Sequence, residues 1–195
     1  MSRQYGLLAP LASHPMTDVY TIGHSHHPLP VFAQLLARHA VTLLVDVRAA
    51  PYSRRHPQFK REALSAGLAA QGIRYRWLGQ ALGGRREAAG PTPHTALAEP
   101  AFRAYAEHLG DADFRDALAK LVVAAAKHRL AVMCAEADHT HCHRHFIADA
   151  LTVDGHTVHH IAANGELRPH ALHEALRVID GRLVYDRHGQ GDLLL

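Results

Sequence analysis

Val41-Thr42-Leu43-Leu44-Val45-Asp46-Val47 is apolar at nearly every position and rich in β-branched residues. A strand with one wet face alternates apolar and polar residues. A strand of a parallel sheet covered by helices on both faces has no wet side and reads as a continuous apolar run. Leu130-Ala131-Val132-Met133-Cys134 has the same character. Val19-Tyr20-Thr21-Ile22-Gly23, Ile73-Arg74-Tyr75-Arg76-Trp77-Leu78 and Thr157-Val158-His159-His160-Ile161 supply three further strands.

Helical segments separate them. Residues 30–39 place Val31, Phe32, Leu35 and Leu36 on one face. Residues 60–71 form a second helix closed by Gly72. Residues 101–109 and 114–128 follow, the latter with Asp113 as its expected N-cap, and residues 142–153 form the last long helix, ending near Gly155. Strands alternating with helices predict an α/β fold, a mostly parallel sheet of about five strands with helices on both faces. The tail adds an expected short helix over residues 169–179 and an edge strand over 182–185. Residues 79–100, rich in glycine and proline, make the longest expected loop. Residues 1–18 read as a flexible lead-in too proline-broken for a persuasive secretory signal, and residues 19–195 as a single domain.

Composition narrows the classes. The chain has 195 residues, 48% of them hydrophobic and 20% charged, which is ordinary for a globular protein. No apolar run approaches the roughly 18 residues of a membrane span. Two cysteines argue against a disulfide scaffold and for the cytoplasm. A net charge of +3 suits a small anionic partner and permits, without requiring, nucleic acid. The unusual number is 19 histidines. For His14, His39, His94, His108, His128, His170, His173 and His188 the plain expectation is a solvated surface position.

Chemistry gathers at strand ends. In a parallel sheet the carboxyl tips lie along one edge, where the following helices point their N-termini at a ligand. The first strand delivers His24 and Ser25. The second delivers Asp46 and Arg48, with Ser53, Arg54 and Arg55 just beyond. The fourth delivers Cys134 and Glu136, and the next helix opens with Cys142, His143 and Arg144. Cys142 at a helix start beside His143 and Arg144 sits where a thiolate is favoured. It reads as a nucleophile or metal ligand, or equally as a small buried apolar residue. Zinc held by Cys134, Cys142, His143 and one of His24, His139 or His141 has the right ligand types, but seven residues between the cysteines is longer than short zinc-knuckle spacing. Arginine's planar fork suits phosphate or carboxylate, so Arg48, Arg54 and Arg144 are candidate anion anchors, although Arg48 pairing with Asp46 or Glu136 as scaffolding competes. Asp46 and Glu136 are candidate proton carriers. Gly83-Gly84-Arg85-Arg86 lacks the lysine and spacing of a phosphate-binding P-loop.

The motifs Thr21-Ile22-Gly23-His24-Ser25, Leu44-Val45-Asp46-Val47-Arg48 with Pro51-Tyr52-Ser53-Arg54 and Pro57-Gln58-Phe59, Gly72-Ile73-Arg74-Tyr75, Leu82-Gly83-Gly84, and Met133-Cys134-Ala135-Glu136 with Cys142-His143-Arg144 resemble the family named domain of unknown function 488. The resemblance spans about residues 19–161. It implies a compact cytosolic α/β protein and carries no established activity. The family's shared polar residues fall on His24, Ser25, Asp46, Arg48, Ser53, Arg54, Glu136, Cys142, His143 and Arg144. His139, His141 and His145 stand outside the pattern, and Gln80-Ala81 diverges locally.

The leading expectation is an enzyme acting on a small anionic or nucleotide-like substrate. Arg48, Arg54 and Arg144, with Ser25 and Ser53, would bind it. Cys142 or Cys134 would serve as nucleophile or redox group, and His24, His143, Asp46 or Glu136 would move protons. The alternatives are a nucleic-acid or nucleotide-binding module using the Arg54-Arg55 and Arg85-Arg86 loops, or a metal-binding sensor at the Cys142 cluster. Cofactor, substrate identity and oligomeric state stay open at this level.

Overall fold

Burial of two-sided apolar strands organises the molecule. A computed structural model describes residues 15–87 and 90–187. Strands β1 (Asp18–Gly23), β2 (Leu43–Asp46), β3 (Arg74–Trp77), β4 (Leu130–Cys134), β5 (Thr157–Ile161) and β6 (Leu167–Pro169) form one sheet in the order β3-β2-β4-β1-β5-β6. All neighbours are parallel except β6, which runs antiparallel to β5. Every residue of β2 and β4 is buried, as their unbroken apolar runs required.

Successive side chains still point to opposite faces. Tyr20, Ile22, Leu44, Ala131 and Met133 pack with Phe32, Leu36, Leu64 and Leu68 of helices α1 (Leu29–Arg38) and α2 (Arg61–Ala69). Val19, Leu43, Val45, Val132 and Cys134 face the other layer. There they meet α3 (Gly79–Leu82), α4 (Pro100–His108), α5 (Ala112–Ala125) and α6 (Arg144–Val153) through Leu82, Tyr105, Phe114, Leu121, Phe146 and Leu151. Cys134 therefore lies on the α6 side of the sheet. Asp46 follows Leu44 onto the α2 side.

Three local expectations differ from the structure. The loop over 79–100 begins with α3, because Gly79 lets the chain pass the Arg48 carbonyl; a Cβ there would lie 1.8 Å from that oxygen. The N-cap of α5 is Asp111, and Asp113 sits inside the first turn, where it favours the positive end of the helix dipole. Residues 169–179 are not helical. Leu167–Pro169 extends the sheet, and β7 (Leu176–Ile179) pairs with β8 (Arg182–Tyr185) across Asp180-Gly181, both at positive φ (49° and 71°). Asp-Gly is the two-residue turn that matches hairpin twist, and this signal outweighs the helical spacing of the segment. The lead-in expected over residues 1–18 falls largely outside the described residues. Among those described, no helix is long and apolar enough to cross a membrane.

Candidate functional site

The parallel register levels the strand tips: Gly23 pairs with Cys134 and Asp46 with Met133. Backbone bonds carry the alignment onward. The amides of His24 and Ser25 donate to the carbonyls of Cys134 and Ala135, and the Val47 amide donates to Met133. A cleft of about 960 Å³ opens over this edge, and His24, Ser25, Arg48, Ser53, Arg54, Glu136, Cys142 and His143 all line it. Asp46 and Arg144 lie behind its wall.

Asp46 is fully buried and holds Arg48 in place. Its Oδ1 accepts from the Arg48 amide (3.0 Å) and Nε (2.9 Å), and its Oδ2 from Arg48 Nη2 (2.6 Å) and the Tyr75 hydroxyl (2.7 Å). Both oxygens are committed, so the proton-carrying role expected of Asp46 gives way to a scaffolding one. Burial works against the Arg48 charge, but the hydrogen bonds and charge of Asp46 raise its pKa overall. Burial and the Asp46 bond likewise keep the Tyr75 phenol protonated.

His24 stacks on Phe59 with ring centroids 4.1 Å apart. Its Nδ1 donates to the Ser25 carbonyl (2.8 Å), leaving Nε2 to accept from Arg48 Nη1 (3.2 Å). Burial first, and the Arg48 charge second, lower its pKa to about 4. His24 is therefore neutral at pH 7 with both nitrogens engaged. It orients Arg48, and the proton-moving role foreseen for it has no free lone pair.

The thiol centre sits between β4 and the start of α6. His143 Nε2 donates to the Val47 carbonyl (3.1 Å), which turns Nδ1 toward both sulfurs, 3.8 Å from Cys134 Sγ and 3.7 Å from Cys142 Sγ. The Cys134 thiol is hydrogen-bonded to Cys142, and that bond together with burial pushes its pKa well up. The same bond, aided by His143 and Arg144, overrides burial and pulls Cys142 well down. Arg144 is not the anion anchor its composition suggested. It is 1% exposed, and its donors go to Cys142 Sγ (3.4 Å), Thr21 Oγ1 (3.5 Å) and the Glu136 carbonyl. A guanidinium so enclosed steadies the sulfur from behind.

The rim is cationic. Arg54, Arg55 and Arg85 are exposed and line the cleft. Ser53 Oγ accepts from the His56 amide (2.9 Å) and so shapes the arginine loop. Arg86 turns inward onto the carbonyls of Gln80, Ala81 and Gly83, so only half of the Arg85-Arg86 pair is presented. Glu136 stands exposed at the edge. Tyr105 was missed by sequence reasoning. It is buried, lines the cleft, and lies 5.1 Å from the His143 ring, while its hydroxyl donates to the Leu82 carbonyl (2.8 Å).

The histidines depart most from expectation. His94 and His108 are buried (3% and 5% exposed) rather than solvated. His14 and His188 lie outside the described residues. His139, His145, His160, His170 and His173 assemble around Asp149, away from the cleft. Burial is the first cause holding His145 down to about 4 and His160 to about 2. The only sequence signal for this cluster was the four-residue spacing of His145 and Asp149 on one helix.

Fold and site together define an open, mostly parallel α/β protein with a buried cysteine pair beneath an arginine-rimmed cleft at the carboxyl edge of its sheet. The chain belongs to the family described as Domain of unknown function DUF488, whose sequence model matches residues 29–151. That match runs from α1 through most of α6 and includes both cysteines. No curated protein and no solved structure matches the chain.

Proposed function

We propose that the protein is a cysteine-dependent enzyme acting on a small anionic substrate. The observation that carries this reading is the placement of Cys142, which lines a cleft rimmed by Arg54, Arg55 and Arg85 with its sulfur beside His143 Nδ1 (3.7 Å) and Arg144 Nε (3.4 Å), neighbours that lower its pKa. In this scheme His143 Nδ1 faces the sulfur while its Nε2 is tied to the Val47 carbonyl, and Arg144 holds the sulfur from behind. The exposed arginines draw the anion in, and Ser25 and the Arg48 Nη1 edge meet it at the floor. Glu136 is the proton carrier that remains free. A thiolate is the reactive form of cysteine, and both its charged neighbours and its access to reagent govern its reactivity; Cys142 is 3% exposed, and the cleft it lines is its route to a substrate.

Alkylation of the native protein tests this directly. Cys142 should react with anionic iodoacetate faster than with neutral iodoacetamide after correction for their intrinsic rates, and its reaction should persist below pH 8. Cys142→Ser should abolish the labelling, and the double variant Arg54→Ala/Arg55→Ala should remove the preference for iodoacetate. Labelling no faster than that of free cysteine, with no charge preference, would sink the proposal.

A second reading is a metal-binding sensor. Cys134, Cys142 and His143 bring ligand atoms within 4.8 Å of one another, and His143 Nδ1 faces both sulfurs. Untagged protein that contains one equivalent of zinc, lost in Cys142→Ser, would favour it over the enzyme. The nucleic-acid reading keeps Arg54, Arg55 and Arg85, and predicts binding to oligonucleotides that weakens steeply with salt.

A further inference from the structure

We propose a second, separate site: His145, Asp149 and His170 bind one divalent transition-metal ion on the far side of Arg144 from the cleft. Its ligand atoms lie within 4.8 Å of one another. His145 and Asp149 stand four residues apart on α6 and share a helix face, the same spacing by which helical metal motifs present two ligands. His170 follows β6 and closes the third side.

Three observations point to an ion rather than to packing alone. His145 is 8% exposed, yet neither ring nitrogen has a hydrogen-bond partner. Burying an imidazole so is unfavourable unless something satisfies it. Its Nε2 lies 3.8 Å from Asp149 Oδ2, too far for a hydrogen bond. Two donors each about 2.1 Å from a tetrahedral ion stand roughly 3.4 Å apart, so the gap is close to one that an ion bridges. Finally, the rings of His145 and His170 cross at 69° with centroids 5.0 Å apart, which lets in-plane lone pairs converge. The neighbouring trio His139, His160 and His170 meets the same distance limit but fails on orientation. His139 and His160 are stacked 3.5 Å apart and only 13° from parallel, so their lone pairs run side by side and cannot meet at one ion.

The surroundings suit a bound ion. Asp149 is fully buried, accepts from the His173 amide (3.1 Å) and the Tyr185 hydroxyl (3.0 Å), and is thereby held in orientation. His170 Nε2 lies 2.8 Å from Asp149 Oδ1 and its Nδ1 2.9 Å from His160 Nε2. With an ion on His170 Nε2, its Nδ1–H donates to His160, the outer partner that metal-bound histidines require. Two imidazoles and a carboxylate select first-row divalent ions such as zinc, cobalt or iron over calcium and magnesium.

The test separates this site from the thiol centre. Untagged Cys134→Ser/Cys142→Ser protein is stripped with chelator and refolded from urea with Co²⁺, so that a buried site loads as it folds. The expected result is one equivalent of Co²⁺ with visible ligand-field bands and no sulfur charge-transfer absorption. His145→Leu, which removes the ligand without breaking a hydrogen bond, should weaken binding about tenfold or more. His141→Ala, at an exposed histidine, should leave it unchanged. Failure of the cysteine-free protein to retain Co²⁺, or equal retention by His145→Leu, would overturn the proposal; neither result bears on Cys142.

Discussion

Asp46 and Arg48 lie two residues apart on a strand and its exit, so their side chains share a face of the sheet and meet without any help from the loop beyond. Enclosure makes the pair costly to break. Asp46 is sealed from water and Arg48 shows only an edge to the cleft, so loss of one leaves a largely buried charge without its partner. Asp46→Asn should lower stability by about 3–5 kcal/mol in urea denaturation, and it should also free Arg48 from its fixed pose. A change within the error of the measurement would mean that Arg48 finds another partner. Arg144 illustrates the same principle with a different outcome, because its acceptors are a sulfur, a hydroxyl and a backbone carbonyl.

At the scale of elements, the site depends on β1 ending tightly against the loop after β4. Gly23 makes this close approach: a Cβ there would sit 1.9 Å from the Glu136 carbonyl oxygen, which is the oxygen that Arg144 grips. Backbone on both sides leaves no flexible group to yield. Gly23→Ala should cost about 3 kcal/mol or more and loosen the Cys142 environment, seen as a lower thermal midpoint and altered alkylation rate. Gly72→Ala is the contrast. Its Cβ meets nothing, and only its φ of +73° is strained, so the expected loss is about 1–2 kcal/mol with the thiol unaffected. The motif glycine that a sequence reader assigns to a strand end is thus also what admits the next strand's loop.

For the molecule as a whole, buried neutral histidine links stability to pH. The clearest case is His24, with Arg48, Asp46 and His56 as the charged and titratable groups around it. Its pKa is about 4 when folded against 6.5 ordinarily, so the folded state binds fewer protons than the unfolded state between those values. The stability it contributes is complete above about pH 6.5 and is lost as pH falls toward 4, roughly 3 kcal/mol in all. The urea midpoint should therefore begin to drop below pH 6.5, ahead of carboxylate titration, and His24→Gln should flatten that first decline. A midpoint constant from pH 7 to 5 would contradict this.

Local pattern determined the architecture. The apolar runs of β2 and β4, the helix spacings between strands and the rule that parallel tips share an edge were enough to predict a two-faced sheet and to gather His24, Arg48, Cys142 and their neighbours in advance. The hairpin of β7 and β8 was also written locally, in Asp180-Gly181, although the helical spacing around it pointed elsewhere. Only the tertiary structure decided which polar groups face solvent and which face one another. Asp46 and Arg144 turn away from the cleft, Cys134 and Cys142 meet at His143 Nδ1, and His145, Asp149 and His170 converge from α6 and the segment after β6. The reason is physical: strand and helix periods repeat along the chain and can be read from it, whereas desolvation and hydrogen-bond partnership arise between segments far apart in sequence.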